Sequence, residues 1–477
     1  MSKFELSSEV NSEKCFILNR SEIEIRLDPF FYIPSIKKLE EQVKSKGSIP
    51  LRKFIEKISS GATPKTAEKE KYYSDAENGI PFLRVQNLSP TGFLEIENCK
   101  YINEETHNNY LKRSQVNGGN LLVKITGVGR MAVASVAPDD FVGNTNQHMV
   151  VIKTKDKNIS HLLASYLNSD IGEKLASRRA TGGTRPALDY PALLSIPIIY
   201  DEKILEIHND AIAKKQQKEQ EAKELLDSID KYLLDELGIT LPEVDKALEK
   251  RIFEVRFNEI SGNRFDPDYK IKMNNLENLT WSFSLIELRD VIIGNSQYGA
   301  NETAQSPKSE NDIRYIRITD IDELGLLKEN DWKTVSKIEE QYFLNFNDIL
   351  FARSGSVGKC YIHKNIDKKS IFAGYLIRFV LNEEKINPDY LFFYCNSSIY
   401  RYWVSAIERP AVQSNINSEE YKSLKIPLPP IEKQNEIAKH IQTIRDKAKQ
   451  LQNEAKQALE DAKIEVEKLI LGESWKL

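Results

Sequence analysis

Two long stretches of the chain contain neither glycine nor proline and carry an apolar stripe at helical spacing. They cover residues 202–237 and 432–471. In the second stretch, apolar residues recur alternately every four and three positions, which is typical of the seam of a coiled coil. This seam consists of Ile437, Ile441, Ile444, Ala448, Leu451, Ala455, Ala458 and Ala462. The first stretch has a weaker seam, and the pattern predicts two long helices.

A charged helix must bury its one apolar stripe, and three partners for the stripe are open. It can pack on a globular domain of the same chain, on a second copy of the chain, or on the other long helix. We predict that the two long helices pair with each other inside one chain and run antiparallel. At 1.5 Å per residue, helices of this length measure roughly 54–60 Å, which suits a spacer between two domains.

The remainder of the chain is duplicated. Residues 120–127 align with residues 348–355, and further segments match in the same order at offsets between 224 (409 − 185) and 238 (264 − 26). Arg185 and Arg409 are aligned at the smallest of these offsets. A single repeat of about half the chain indicates a tandem duplication and not a solenoid.

Each repeat begins with a mixed region in which short strand-like runs alternate with turn residues. The predicted fold class is therefore α+β, with two similar globular domains joined by two long antiparallel helices that form an intramolecular coiled coil. We expect a globular domain, a helical spacer, a second globular domain and a second helical spacer. Their predicted ranges are residues 1–195, 196–255, 256–425 and 426–477.

The overall charge balance excludes a polycation. The chain has 67 Lys and Arg against 71 Asp and Glu, so any nucleic-acid contact must come from local clusters. No run approaches the roughly 18 apolar residues of a membrane helix, and we expect no signal peptide. The four cysteines are far apart, which argues against disulfides or structural zinc and favours a reducing cytoplasm.

No catalytic, cofactor-binding or metal-binding residues are predicted. Residues 354–360 are similar to a phosphate-binding loop, but their glycines are too close together and Cys360 stands where the magnesium-binding hydroxyl belongs. Residues 28–29 and 266–267, both Asp-Pro, lack the second proline of an adenine methyltransferase motif. We interpret them as a turn that recurs at the start of each domain. The six histidines are not spaced as metal ligands.

Two motifs carry a resemblance to a known family. Residues 426–437, IPLPPIEKQNEI, open the second long helix, and residues 353–359, RSGSVGK, follow a predicted strand. Together with the repeated order of variable domain, Pro-ending segment and long helix, they resemble the specificity subunit of type I restriction–modification systems. The first repeat departs from both motifs, with Pro-Ile-Ile-Tyr and Lys-Ile-Thr at the corresponding positions.

The resemblance implies that the globular parts are target recognition domains, each reading one half of a bipartite, asymmetric target in double-stranded DNA. It implies that the helices set the spacer length and dock methyltransferase subunits, two in the expected complex. The chain itself is then no enzyme and holds no cofactor. S-adenosylmethionine, ATP and Mg²⁺ are expected in partner subunits, which methylate adenine and, with a translocase–nuclease restriction subunit, cleave unmodified DNA.

Basic and polar side chains of the two domains are the predicted DNA contacts, because Arg pairs with guanine and Asn or Gln with adenine. In the first domain they are Lys124, Thr126, Arg130, Arg178, Arg179 and Arg185. In the second domain they are Arg353, Lys359, Arg409, Gln413 and Asn415. Each can equally be an ordinary surface residue, and the neighbouring glycine motifs can be structural turns.

The glycine turns recur in both domains, whereas two half-sites should differ in their bases. We therefore expect the turns to provide backbone shape or phosphate contact. Base-reading residues are expected in stretches that do not match between the domains, namely residues 63–75 and 297–310.

Two other functions remain as alternatives. A lone DNA methyltransferase or nuclease is argued against by the missing cofactor loop and catalytic tetrapeptide. A scaffold whose coiled coil joins proteins without DNA specificity differs from a recognition subunit in one measurable respect. With methyltransferase partners present, a scaffold would bind DNA without sequence preference or not at all.

Overall fold

The computed structural model describes residues 10–24, 26–96, 99–241, 254, 256, 264, 266–328, 331–365, 367–408 and 414–472. The chain forms two compact units. Unit 1 comprises Met1–Glu219 and Gln452–Leu477, and unit 2 comprises Gln220–Leu451. We call the globular part of unit 1 head 1 (described residues up to 198) and that of unit 2 head 2 (described residues 266–427). The four predicted domain ranges stay a prediction.

Head 1 combines five α-helices with eleven short strands among its described residues. Its helices are α1 Pro34–Ser45, α2 Lys69–Tyr72, α3 Lys157–Asn168, α4 Asp170–Arg179 and α5 Tyr190–Leu194, and the long helix α6 Glu202–Leu237 follows. The strands are β1 Ile49–Pro50, β2 Ile55–Ser60, β3 Tyr73–Ser74, β4 Ile80–Leu83, β5 Lys100–Ile102, β6 Gln115–Asn117, β7 Leu121–Lys124, β8 Ala134–Val136, β9 Val142–Thr145, β10 Met149–Thr154 and β11 Pro197–Ile198. They form a four-stranded sheet β2-β10-β7-β8, a five-stranded sheet β3-β5-β4-β9-β6 and the pair β1-β11.

Head 2 has four α-helices and eight strands among its described residues. The helices are α7 Pro267–Glu277, α8 Pro388–Tyr394, α9 Ser398–Ile407 and α10 Ser418–Lys422, and the long helix α11 Ile431–Leu471 follows. The strands are β12 Leu285–Glu287, β13 Ile292–Tyr298, β14 Arg314–Ile316, β15 Ile349–Ala352, β16 Cys360–Ile362, β17 Ser370–Phe372, β18 Leu376–Leu381 and β19 Lys425–Pro427. They form a four-stranded sheet β13-β18-β15-β16 and the pairs β14-β17 and β12-β19.

The two heads share one strand order. The sheet β2-β10-β7-β8 of head 1 corresponds to β13-β18-β15-β16 of head 2, and both are antiparallel throughout. The parallel pair β4-β9 corresponds to β14-β17, and the antiparallel pair β1-β11 corresponds to β12-β19. The sequence repeat is therefore a structural duplication, and the predicted α+β fold class is confirmed.

The central strands of each sheet lie between other layers. All residues of β7 (LLVK) and β15 (ILFA) are buried, which explains why their sequences are apolar runs and do not alternate. The core of head 2 is rich in aromatic rings. There the ring of Phe351 lies 4.8 Å from that of Tyr421 and 5.7 Å from that of Phe379, within the range of favourable aromatic pairs.

The recurring Asp-Pro turn has the same hydrogen bonds in both heads. Arg26 donates to Asp28 and to two backbone carbonyls at the end of α4. Arg264 donates to Asp266 and to two carbonyls at the end of α9. Both aspartates also accept from backbone N–H groups of the turn that they open. The motif therefore has a structural role in both heads: Asp28 caps the short turn Pro29–Tyr32, and Asp266 caps the first turn of α7.

The long helices pair with each other in unit 1. Ile204 near the start of α6 belongs to the same apolar cluster as Val466 and Ile470 near the end of α11. Farther along α6, Lys218 forms an ion pair with Glu454. Rising residue numbers on one helix therefore meet falling numbers on the other, as antiparallel helices require.

The same antiparallel pairing is present in unit 2. Ala222 of α6 packs with Ala448 and Leu451 of α11. Near the end of α6, Glu236 Oε2 lies 2.6 Å from Lys433 Nζ at the start of α11. The prediction that the two long helices pair inside one chain and run antiparallel is confirmed.

The predicted seam of α11 is the buried face of that helix. Ile444 is half-buried. The buried members are Ile437, Ile441, Ala448, Leu451, Ala455, Ala458 and Ala462. Alanine at successive seam positions lets the backbones of two helices approach closely. Among the described residues, the long helices and all shorter ones are too polar or too short to cross a bilayer.

Candidate nucleic-acid interface

One end of the four-stranded sheet carries several of the candidate residues in each head. In head 1, β2 and β7 end there and β10 begins there, because both neighbours run antiparallel to β10. We call the loops at this end the loop edge. In head 1 the loop edge consists of residues 60–63, 125–130, 146–148 and 181–187. In head 2 it consists of residues 298–300, 353–358, 373–375 and 414–416.

Backbone hydrogen bonds identify equivalent positions in the two loop edges. The N–H of Ile125 donates to the carbonyl of His148 at 3.0 Å. In head 2 the N–H of Arg353 donates to the carbonyl of Tyr375 at 2.9 Å. Arg353 therefore stands where head 1 has an isoleucine, and Tyr375 stands where head 1 has a histidine.

The segment before α5 corrects the sequence alignment. The N–H of Leu188 donates to the first carbonyl after β7, and that of Ile416 donates to the first carbonyl after β15, an offset of 228 (416 − 188). The last residues of α4 and α9, Arg179 and Ile407, are separated by the same offset of 228 (407 − 179). The predicted offset of 224, which matched Arg185 with Arg409, is therefore wrong for this segment, because Leu188 corresponds to Ile416. Arg409 and Gln413 lie outside the described residues.

Glycines shape the turn that follows β7 and the turn that follows β15. Gly127 and Gly129 have φ of +124° and +81°, and Gly355 and Gly358 have φ of +77° and +82°. This left-handed region is accessible to glycine at little cost and is strained for other residues. The recurring motif therefore fixes the path of the backbone at the loop edge.

Three predicted DNA contacts have their charged groups engaged within their own head. Lys124 is buried and its Nζ donates to two carbonyls of its own turn, at 2.7 and 3.0 Å. Burial lowers the pKa of Lys124. Arg130 pairs with Asp170 at 3.0 Å, and Lys359 pairs with Glu323 at 2.8 Å. Their charged groups are already engaged, so we assign them to the architecture of the turns.

Arg178 and Arg179 lie in the interior of head 1. They are 5% and 7% exposed, and both donate to the carboxylate of Glu40, which is 3% exposed. Burial alone would raise the pKa of Glu40. The hydrogen bond and charge of Arg179, with Lys44 and Arg178, outweigh it and lower that pKa to about 2. Their burial removes both arginines from the candidate interface.

The remaining described candidates lie on the loop edges. In head 1, Thr126 forms a β-bridge with Ala187, which brings it beside the exposed loop that carries Arg185. In head 2, Ser354 forms the equivalent bridge with Asn415, which brings Asn415 beside Arg353. Two predicted residues therefore lie on neighbouring segments in each head: Thr126 and Arg185 in head 1, and Arg353 and Asn415 in head 2.

Sequence reasoning named no single partner for Arg353 and missed Tyr375. The guanidinium of Arg353 lies 4.8 Å from the ring centroid of Tyr298, which is 38% exposed and falls within the predicted base-reading stretch 297–310. Tyr375, outside both predicted stretches, is 59% exposed. In head 1, the exposed Gln147 accepts a hydrogen bond from Thr63. The signal that could have found Tyr375 and His148 is their position immediately before a buried strand that pairs with the glycine-turn strand.

The predicted base-reading stretches are partly structural. Gln297 accepts from Arg378 and donates to the carbonyl of Gln341, so its amide is committed to head 2. Thr63 and the end of β13, in contrast, are on the loop edges. Among the described residues, no group of three or more His, Cys, Asp or Glu side chains is arranged to hold a metal ion.

A comparison with known protein families finds a match for part of the chain. Residues 283–461 match the family model for the type I restriction modification DNA specificity domain. This part of the chain is therefore similar to that specificity domain. The matched region begins just before β12 and so includes most of head 2, its loop edge and more than half of α11.

Individual specificity-subunit relatives match over shorter stretches. The specificity subunit of the type I restriction enzyme MjaVIII from Methanocaldococcus jannaschii is 29% identical over 173 residues, 34% of this chain and 40% of that protein. The specificity subunit of StySPI from Salmonella potsdam is 28% identical over 156 residues, 31% of this chain and 34% of that protein. The chain therefore spans less than half of the length of these relatives.

A crystal structure of the type I restriction–modification S subunit from M. genitalium covers 90% of this chain and 96% of its own, at 13% identity. The TM-score is 0.36. Because this similarity is low, the description of the fold depends on the contacts given above and not on this comparison.

Proposed function

We propose that this chain is the DNA sequence-recognition subunit of a type I restriction–modification complex. Each head reads one half of a bipartite, asymmetric target, and the paired helices set the spacer and dock methyltransferase subunits. The chain does no chemistry itself. S-adenosylmethionine, ATP and Mg²⁺ belong to the partners, and a translocase–nuclease subunit joins where the complex also cleaves DNA.

One observation carries the proposal. The loop edges have the same backbone construction but different side chains at equivalent positions. Arg353 replaces Ile125, and Tyr375 replaces His148, whereas the flanking hydrogen bonds are conserved between the heads. A duplicated backbone with unlike side chains suits two unlike half-sites. Side chains tell one base from another by contacting base edges, whereas contacts to phosphates carry no sequence information.

The test uses the chain assembled with the methyltransferase subunit of its own complex. Binding is selected from a pool of random duplexes, and the selected sequences are read. We expect two short, different motifs separated by a fixed number of unspecified base pairs. We also expect the affinity to fall steeply with salt, because phosphate contacts release counterions. Binding without sequence preference, or none at all, would favour the scaffold alternative.

The proposal also makes catalysis depend on the partner. The purified chain with S-adenosylmethionine should leave DNA unmodified, and the assembled complex should methylate adenine in the selected motif. Methylation by the chain alone would overturn the assignment in favour of a lone methyltransferase.

A further inference from the structure

We propose that Arg353 reads a guanine in the half-site bound by head 2, with the ring of Tyr298 holding its guanidinium in place. This inference rests on the proposed function. It goes further by naming one base and the side chain that selects it.

The backbone of Arg353 is fixed on both sides. Its N–H donates to the carbonyl of Tyr375 and its carbonyl accepts from the N–H of Ile416, each at 2.9 Å. It directly follows β15, whose four residues are buried. The root of the side chain is therefore rigid, as a base-reading residue requires if its hydrogen bonds are to select one geometry.

Among the described residues, the guanidinium contacts a ring and forms no ion pair with a carboxylate. It lies 4.8 Å from the centroid of Tyr298, and its Nε is buried without a hydrogen-bond partner among the described residues. Other arginines of the same head are anchored differently. Arg378 pairs with Asp348, and Arg317 pairs with Asp320. Arg353 thus combines a defined position with hydrogen-bonding capacity that the described part of the chain leaves unused.

The surroundings suit a base better than a phosphate. Arginine donates two parallel hydrogen bonds to O6 and N7 of guanine in the major groove. Cation–π contact with Tyr298 restrains the guanidinium plane that this geometry needs. Tyr375, 59% exposed, supplies a second ring at the same edge.

The difference between the heads argues in the same direction. Every half-site offers phosphates, so a phosphate contact would be expected at the equivalent position of both heads. Head 1 has Ile125 there, which is 8% exposed. A contact present in one head alone is better explained by a base that occurs in one half-site alone.

The experiment maps methylated sites in cells that express the chain with its methyltransferase subunit. The variants are Arg353→Ala, Arg353→Lys and the control Arg289→Ala. Arg289 is an exposed arginine of the same head. It lies just before β13 begins, whereas Tyr298 is at the other end of that strand. All sites on the chromosome are read at single-base resolution, so each position of the motif is scored separately.

For the unsubstituted chain we expect a bipartite motif with a guanine in one half. Arg353→Ala should reduce the preference for one guanine roughly 10- to 100-fold and leave the other half of the motif unchanged. Arg353→Lys keeps the positive charge but loses the planar fork, so it should also relax that position. Arg289→Ala should keep the complete motif.

Two results would overturn the inference while leaving the proposed function intact. One is a complete motif in both Arg353 variants. The other is a loss in Arg353→Ala that is uniform over all sequences, restored by Arg353→Lys and accompanied by a weaker salt dependence, which identifies a phosphate contact. Absence of any motif in the unsubstituted complex would instead reject the proposed function itself.

Discussion

Nη2 of Arg179 lies 2.8 Å from Oε1 of Glu40, and both side chains are almost completely buried. Arg178 reaches the other carboxylate oxygen of the same glutamate. One acidic residue of α1 therefore ties two adjacent arginines of α4 to the start of head 1. This buried cluster explains why a basic pair that looked like a DNA contact in the sequence is part of the interior.

Removal of the negative charge from this cluster should destabilise head 1. Glu40→Gln keeps the shape of the side chain but leaves two buried cations without a counter-charge, at a cost of about 3–5 kcal/mol. Urea unfolding followed by circular dichroism measures the change. Glu41→Gln, an exposed position on the same helix, is the control and should be nearly neutral. Lost DNA binding with unchanged stability would return the arginines to the interface.

The same cluster gives a pH dependence at acid pH. The folded-state pKa of Glu40, about 2, lies below its ordinary value of 4.5. The unfolded chain therefore binds the proton first, and the stabilisation is complete above pH 4.5 and is lost as the pH falls toward 2. The free energy of unfolding is measured between pH 4.5 and pH 2. The part of its fall with pH that is due to Glu40 should be absent in Glu40→Gln.

The close approach of the long helices depends on small side chains. Ala448 is 1% exposed and packs with Ala222, so Ala448→Lys places a charged, bulky group in the seam. We expect a loss of about 2–4 kcal/mol and altered spacing or weakened methyltransferase docking. Asn453→Lys adds the same group at an exposed position of α11 and is the control. Unaltered assembly and target spacing in Ala448→Lys would contradict the spacer role of the helix pair.

The glycine turn of head 2 contains two glycines with different requirements. Both have positive φ, so an alanine costs about 1–2 kcal/mol at either position. At Gly358 a Cβ would also lie 2.8 Å from both γ carbons of Val404, whereas at Gly355 it would meet no atom within 4 Å. Gly358→Ala should therefore lower the free energy of unfolding by about 1–3 kcal/mol more than Gly355→Ala. Equal effects in thermal melts would argue against this packing role.

The sequence was sufficient for the helices, their pairing and the duplication. These features depend on periodicity, as in the buried seam from Ile437 to Ala462, and periodicity is visible in one sequence. The structure of the recurring Asp-Pro turn was also predictable, because Asp266 caps a backbone turn formed by its immediate neighbours.

The composition of the candidate site was less predictable because its contacts are long-range. Glu40 lies 138 residues from Arg178 along the chain, and no local pattern announces that pairing. Tyr298 and Tyr375 reach the loop edge through strand pairing, which sequence spacing alone does not define. The Arg-Pro-Ala segments at residues 185–187 and 409–411 suggested an offset of 224, whereas the hydrogen bonds of Leu188 and Ile416 give an offset of 228.

A buried histidine on the first long helix adds a second source of pH dependence. His208 is 7% exposed, its ring centroid lies 6.4 Å from that of His161, and its Nε2 has no hydrogen-bond partner among the described residues. Burial, and to a lesser extent the neighbouring imidazole, lowers the pKa of His208 to about 4. The side chain is therefore neutral in the folded protein at physiological pH.

Because an unfolded histidine titrates near 6.5, the unfolded chain binds a proton between pH 6.5 and 4 that the folded chain does not. Unfolding free energy should accordingly fall as the pH drops through this window, by up to about 1.4 kcal/mol per pH unit from this group. His208→Leu removes the titration and should flatten that slope, measured by urea unfolding at several pH values. An identical slope in His208→Leu and the unsubstituted chain would mean that water reaches the imidazole and that the start of α6 packs more loosely on head 1 than its contacts indicate.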